Sequence, residues 1–437
     1  MRHRAMSPSS SASSASSVSL PSSSSPSAGS GSGGAFPAPA VPTVPTVPAA
    51  PSAPAGDSGE ALFRLGWDAS FAGEFAPYAA DGLVPGRIVR VDRGGCELLV
   101  PAGAVPAERN PDPHPAGGAP TPRGDAVTVR ATLPPFPDPD PTRRPCTGDW
   151  AAVDLAERAV RALLPRRTVL LRSTSSKRSD GQVLAANVDH VVVAVSLAAE
   201  LDLGRAERFL ALAWESGAGP LIVLTKADLV SDPAVRDHLV ADVAATAPGV
   251  PVLAVSARTG EGMADLAREV AGGTAVLIGQ SGAGKSTLVN ALLGAEVQDV
   301  RANRDSDGKG RHTTTTRDLL PLPTGGVLID TPGLRGVGLW DAGQGVAQVF
   351  AEIEELGRDC RFHDCAHTTE PGCAVLAALA DGSLPRRRLD SYRKLARENE
   401  WIASRTDARL RAERRRRWKQ QQATGRHMTE RKRGGHR

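Results

Sequence analysis

Cysteine is scarce: five residues in 437, with Cys96 and Cys146 standing alone. So thin a supply argues against a secreted disulfide framework. Long apolar runs are missing too, none approaching the roughly 18 to 20 residues that span a bilayer. The expectation is a soluble, cytoplasmic protein with no membrane partner. Acidic residues are nearly absent from residues 1–60, where Ser, Pro, Ala and Gly dominate and no apolar periodicity appears. Such a segment cannot bury enough surface to offset its ordering entropy and is expected to be disordered. It lacks the continuous apolar stretch of a secretory signal, although Arg2, Arg4 and the serine runs also suit an organellar transit peptide. The excess of Arg over Lys and the abundance of Ala, as GC-rich bacterial coding produces, favour the plain tail.

The net charge is only +4, but it is unevenly spread. Residues 405–437 hold 13 Lys and Arg against Asp407, Glu413 and Glu430, a balance of +10 that leaves the rest of the chain at −6. A basic tail on a mildly acidic body suggests a polyanionic partner, the alternative being a solvated basic helix. Trp401 and Trp418 suit either stacking on bases or anchoring a helix.

The most informative stretch is Gly279-Gln280-Ser281-Gly282-Ala283-Gly284-Lys285-Ser286-Thr287, with the spacing G-x-x-x-x-G-K-S. The apolar run 274–278 before it reads as a buried strand and 287–293 after it as a helix, the context a phosphate-binding loop requires. Glycines let the backbone wrap an anion, so the N–H groups at the helix start point at phosphate oxygens. Lys285 then reaches the β- and γ-phosphates, and the Ser286 hydroxyl serves a magnesium ion.

Strands alternate with helices from residue 183 onward. Runs 188–195, 220–224 and 251–255 are rich in Val, Ile and Leu, suited to strands buried on both faces, and 205–215 has helical spacing. This pattern predicts a doubly wound parallel sheet. Thr225-Lys226-Ala227-Asp228 ends one strand, where the Asp can accept from both N1–H and the 2-amino group of guanine. Ser256-Ala257 ends the next, where backbone N–H groups can bond the guanine O6. Asp330-Thr331-Pro332-Gly333 ends another, bringing a carboxylate to magnesium and the Gly333 N–H to the γ-phosphate. Each motif alone is weak, but ligands bind outside the carboxyl ends of such strands, so together they specify a guanine nucleotide site. Ras-like GTPases run from phosphate loop to Asp-x-x-Gly to base motif, whereas here the base motif comes first. A cyclic shift of the chain preserves every spatial neighbour.

Upstream, 83–91, 96–100, 126–133, 150–155 and 168–172 read as five short strands, which predicts a small barrel. Barrels of this size include oligonucleotide-binding ones and unrelated ones, and strand count does not separate them. Downstream, Cys360, Cys365, His367 and Cys373 supply three thiolates and an imidazole, the donor set of a closed, structural tetrahedral zinc site. His363 is the rival ligand to His367.

This combination resembles the ribosome small subunit-dependent GTPase A family of circularly permuted bacterial GTPases, over residues 83 to 400. The resemblance is carried by Leu164-Pro165-Arg166-Arg167, Leu184-Ala185-Ala186-Asn187-Val188-Asp189, the permuted nucleotide motifs, Gly310-Arg311-His312-Thr313-Thr314-Thr315 and the zinc pattern. It implies a multidomain fold: an all-β barrel of oligonucleotide-binding type (61–172), an α/β circularly permuted P-loop GTPase (173–350) and a small, mostly helical zinc domain (351–404), flanked by the disordered extension (1–60) and the basic tail (405–437) read from composition and charge. It also implies docking on the small ribosomal subunit and its rRNA and GTP hydrolysis late in subunit assembly, stimulated by the subunit; a monomer is the expectation, which the sequence itself does not decide. A threonine of the switch, Thr314, is expected on magnesium beside Ser286 and Asp330, with His312 positioning the attacking water. Leu334 stands where Ras-like enzymes place a water-orienting Gln, so intrinsic turnover should be slow. Thr225 replaces the family's usual Asn, so one amide contact to the base or to the neighbouring loop is lost. The competing readings are a nucleotide-regulated RNA-binding scaffold with negligible catalysis and an organellar version of the same enzyme.

Overall fold

The computed structural model describes residues 57–92, 94–105, 125–134, 140–173, 181–295, 318–330 and 342–406. It begins with two helices, α1 (Asp57–Arg64) and α2 (Ala69–Ala80), where the sequence reading placed a disordered extension up to residue 60 and only strands and turns beyond it. The Asp68 carboxylate starts α2 by accepting from the N–H groups of Ser70 and Phe71 at 2.9 and 3.2 Å, meeting donors that a helix start leaves without partners. Alanine richness, Gly73 and Pro77 blur the helical period here, and the Asp68 cap is the signal that reveals it. Trp67, Phe71 and Phe75 are buried, with Trp67 edge-on to Trp150 at a centroid distance of 4.6 Å.

Strands β1 (Val84–Asp92), β2 (Gly95–Pro101), β3 (Ala126–Thr132), β4 (Trp150–Asp154) and β5 (Ala159–Leu163) close into a barrel in the order β1-β2-β3-β5-β4. Ile88, Leu98, Val100, Val129, Val153 and Val160 fill it. The predicted fifth strand is corrected. Residues 169–173 instead form β6 (Val169–Ser173), which pairs with β7 (Gly181–Ala186) in a separate two-stranded sheet. The closing strand is β5, folded back on β4 by a turn in which Asp154 accepts from the N–H groups of Ala156 and Glu157, both at 3.0 Å.

The central sheet has the order β10-β9-β8-β11-β13-β12, built from β8 (His190–Ser196), β9 (Gly219–Thr225), β10 (Val252–Val255), β11 (Thr274–Gly279), β12 (Asp318–Pro321) and β13 (Val327–Asp330). Only β12 runs antiparallel. Alternate residues of one strand feed two cores: Val191 and Val193 join the cluster under α3 (Leu203–Glu215) and α4 (Pro233–Thr246), and Val192 and Ala194 the one under α5 (Met263–Glu269) and α6 (Lys285–Leu293). This is the doubly wound sheet that the Val- and Ile-rich runs predict.

Helices α7 (Gly343–Val349), α8 (Ala351–Arg358), α9 (Ala374–Asp381) and α10 (Arg386–Thr406) complete the described chain. α7 lies so close to α3 that a Cβ at Gly345 would sit 1.9 Å from the Ala211 carbonyl oxygen, so only glycine fits. On α3 the fully buried Glu207 accepts from Arg388 of α10 at 2.7 Å, and Arg388 also donates to Glu352 of α8 and to the Val349 carbonyl. Arg208 and Glu398 form a second, two-pronged pair between α3 and α10 at 2.7 and 2.6 Å. Among the described residues, no helix is long and apolar enough to cross a membrane.

Candidate nucleotide-binding site and metal cluster

Because β8, β9, β10, β11 and β13 are parallel, their carboxyl ends share one edge, which brings Thr225, Ser256, Gly279 and Asp330 together from distant points of the chain. Gly279 leaves β11 at φ +149, and a Cβ there would lie 2.4 Å from the Ala194 carbonyl oxygen, so the loop can cross β8 only with glycine. Gly284, at φ +86, ends the loop and opens α6, whose first residues are Lys285, Ser286 and Thr287. The Lys285 ammonium donates to the carbonyls of Gly279 and Gln280, both at 2.9 Å, which curls the loop around it. Burial pulls its pKa below the ordinary lysine value, and the Asp330 carboxylate acts against that pull. A cavity of about 230 Å³ opens beside the loop, with Glu200, Asp202, Lys226 and Ser281 in its wall.

The base motif is tied to the loop by its own side chains. The Thr225 hydroxyl donates to the Ala283 carbonyl at 2.7 Å, so the contact to the neighbouring loop is kept although Asn is absent. Lys226, in the left-handed region at φ +61, donates to the Gly282 carbonyl at 2.8 Å. Ala227 is fully buried. Asp228 accepts from the Ser256 hydroxyl at 2.6 Å and pairs with the Arg258 guanidinium at 2.9 Å. The Ser256 hydroxyl, and then Arg258, hold the Asp228 carboxyl below the usual carboxylate range. It is therefore an ionised acceptor at neutral pH, as recognition of two adjacent donors demands. Ala257, half-buried, follows Ser256 at the end of β10. Arg258 was missed in the sequence, and only its position two residues past Ser256 hints at it.

Of the three expected catalytic residues, Lys285 lies at this edge, and His312 and Thr314 lie outside the described residues, as does Gly333. The motifs 164–167 and 184–189 prove to be joinery between barrel and sheet. Asn187 accepts from the Arg167 N–H at 3.0 Å and donates to the Gly148 carbonyl at 3.1 Å, while Asp189 accepts from the Thr274 N–H at 2.7 Å. The fully buried Arg87 of β1 donates to the Leu65 and Asn187 carbonyls, both at 3.1 Å, and to the Thr274 hydroxyl at 3.0 Å.

Cys360, Cys365, His367 and Cys373 form one cluster whose ligand atoms all lie within 4.8 Å of one another. A tetrahedral zinc with bonds of about 2.3 Å to sulfur and about 2.0 to 2.1 Å to nitrogen requires separations of about 3.7 Å between sulfurs and about 3.5 Å between sulfur and nitrogen. Cys360 Sγ and Cys373 Sγ stand 3.7 Å apart, and His367 Nδ1 lies 3.6 and 3.5 Å from them. The donor set and spacing therefore fit a metal ion and are compatible with zinc, with His367 rather than His363 closing the group. Glu370 shapes the loop by accepting from the N–H groups of Ala366, Thr368 and Thr369. Its own backbone N–H first, and then those of Thr368 and Thr369, hold its carboxyl down at about 2.

A sequence model of the RsgA GTPase family matches residues 163–340. A protein of Streptomyces coelicolor named small ribosomal subunit biogenesis GTPase RsgA is 63% identical over 377 residues, covering 86% of this chain and 96% of the relative. One of the same name from Opitutus terrae is 41% identical over 372 residues, with 82% and 95% covered. Among solved structures, YjeQ from Thermotoga maritima matches with a TM-score of 0.50 at 23% identity, covering 72% of this chain and 98% of that one. YloQ, described as a circularly permuted GTPase, matches with a TM-score of 0.50 at 21% identity, covering 73% and 95%. These two likenesses concern the fold.

Proposed function

The chain belongs to the RsgA GTPase family, and from that premise we propose that it binds GTP at the shared strand edge and hydrolyses it to GDP and phosphate on the small ribosomal subunit, late in assembly. The observation that carries this reading is the meeting of Asp228, Ser256, the loop 279–287 and Asp330 at one sheet edge, from segments scattered over a hundred residues. Asp228 offers the ionised acceptor that guanine's N1–H and 2-amino donors need and adenine cannot use. The loop N–H groups, Gln280 to Thr287, and Lys285 meet the phosphates.

Phosphoryl transfer to water needs charge neutralisation and a held nucleophile more than covalent chemistry. Ser286, in the first turn of α6, and Asp330, at the end of the strand beside β11, would hold magnesium, with Thr314 as the third group. That ion, when bound, neutralises charge developing on the β- and γ-phosphate oxygens. Lys285 adds a fixed positive charge, the Gly333 N–H meets the γ-phosphate, and His312 orients the water. The cluster of Cys360, Cys365, His367 and Cys373 holds one structural zinc. Barrel, zinc domain and basic tail together contact rRNA, and the protein works as a cytoplasmic monomer.

The test is GTP turnover titrated with purified small subunits. Saturable stimulation of about tenfold or more is expected, abolished in a His312→Ala variant that still binds GTP. Turnover that ignores the subunit would contradict the reading and favour a nucleotide-regulated scaffold.

A further inference from the structure

Arg90 belongs to the barrel strand β1, yet its closest acid is Asp318, the first residue of β12 in the nucleotide-binding sheet. Both Nε and Nη2 of Arg90 lie 2.6 Å from Asp318 Oδ1, and the side chains are 29% and 21% exposed. In the antiparallel ladder between β12 and β13, Asp318 stands opposite Asp330. Residues directly opposed in such a ladder project from the same face with Cβ atoms about 4.5 to 5.5 Å apart, where like charges repel. Asp330 in turn acts electrostatically on Lys285. A row of charges thus runs from barrel to phosphate loop: Arg90 positive, Asp318 and Asp330 negative, Lys285 positive. Glu97, opposite Arg90 in the β1–β2 ladder, and Asp92 also favour the guanidinium's charge. Arg90 is thus the barrel cation that faces Asp318.

We propose that Arg90 is a positioning residue for the nucleotide site, holding the Asp318 carboxylate toward the barrel and keeping its charge off the Asp330–Lys285 pair and the terminal phosphate. This rests on the nucleotide reading above, in which the γ-phosphate lies near Lys285 and Asp330. Without the guanidinium, Asp318 keeps a full negative charge on that face. GTP carries the extra phosphate charge, so its binding suffers more than that of GDP.

The experiment compares calorimetric affinities for GDP and a non-hydrolysable GTP analogue in wild type, Arg90→Gln, Asp318→Asn and the double variant. Arg90→Gln should lower the analogue-to-GDP affinity ratio about fivefold, as expected for one added charge in a partly solvated setting. Asp318→Asn alone leaves Arg90 without its carboxylate partner at 318 and should hold or raise the ratio, not lower it, and adding it to Arg90→Gln should restore it. Arg90→Lys, which keeps the cation, should hold the wild-type ratio, and Arg90→Met replaces the Gln variant if thermal melting shows the latter unfolded. If Asp318→Asn is as harmful as Arg90→Gln and the double variant is no better, the pair only docks the barrel and the proposal is overturned. An unchanged ratio in Arg90→Gln overturns it too. A wild type that binds neither nucleotide removes the nucleotide reading itself, a distinct failure.

Discussion

Asp228 is held ionised by the Ser256 hydroxyl and the Arg258 guanidinium, so the group proposed to select guanine does not wait for a ligand to acquire its charge. Its pKa is lowered in the folded chain, so the charge is present above that value and lost only as pH falls through it. The Asp228 contribution to guanine affinity should accordingly be flat between about pH 6 and about pH 8, checked by GDP titrations in that range. Asp228→Asn swaps an acceptor for a donor and should cost about a hundredfold in GDP affinity, from a lost charged hydrogen bond and an unmatched donor. The same variant should gain affinity for xanthosine nucleotides, whose 2-position carries an acceptor. An unchanged GDP affinity would place the base elsewhere. Thr225 shows what one residue letter conceals. Its replacement of Asn is visible in the sequence, but the bond from its hydroxyl to Ala283 follows from the fold.

At the scale of the element, the zinc-type loop and the helices beyond it depend on groups remote in sequence. Cys373 belongs to the Cys/His cluster and also caps α9, accepting from the Leu376 N–H, so a metal ion held by the cluster would share an atom with helix initiation. Purified protein should carry about one zinc per chain by emission spectrometry, and chelation should lower the melting temperature by about 5 °C or more. Protein without zinc and indifferent to chelators would contradict the assignment. Glu207 makes a second joint: Glu207→Ala leaves Arg388 with Glu352 and backbone carbonyls as its hydrogen-bond partners among the described residues and should cost about 1 to 3 kcal/mol in denaturant unfolding. Elements were legible where side-chain pattern and burial agree, as in β8, β9 and β11, whose runs are apolar because both faces are covered. They were illegible where context decides. α2 is held by aromatic packing against Trp150, and β5, carrying Arg161 at its centre, became a strand because the barrel needed closing.

For the whole molecule, the order of motifs along the chain matters less than the direction of the strands that end in them. Parallel pairing carries the base motif at 225, the Ser-Ala at 256, the loop at 279 and Asp330 to one edge whichever comes first. The convergence of these segments was therefore readable from strand ends alone, while the joints that fix the barrel and the helical module to the sheet, through Arg87, Asn187 and Glu207, were not, since each joins residues about a hundred or more positions apart. The most direct test is calorimetric titration of the purified full chain with GDP and ADP in magnesium buffer. The account predicts one GDP site per chain and no detectable ADP binding. Equal affinity for the two nucleotides, or no heat with GDP, would contradict it.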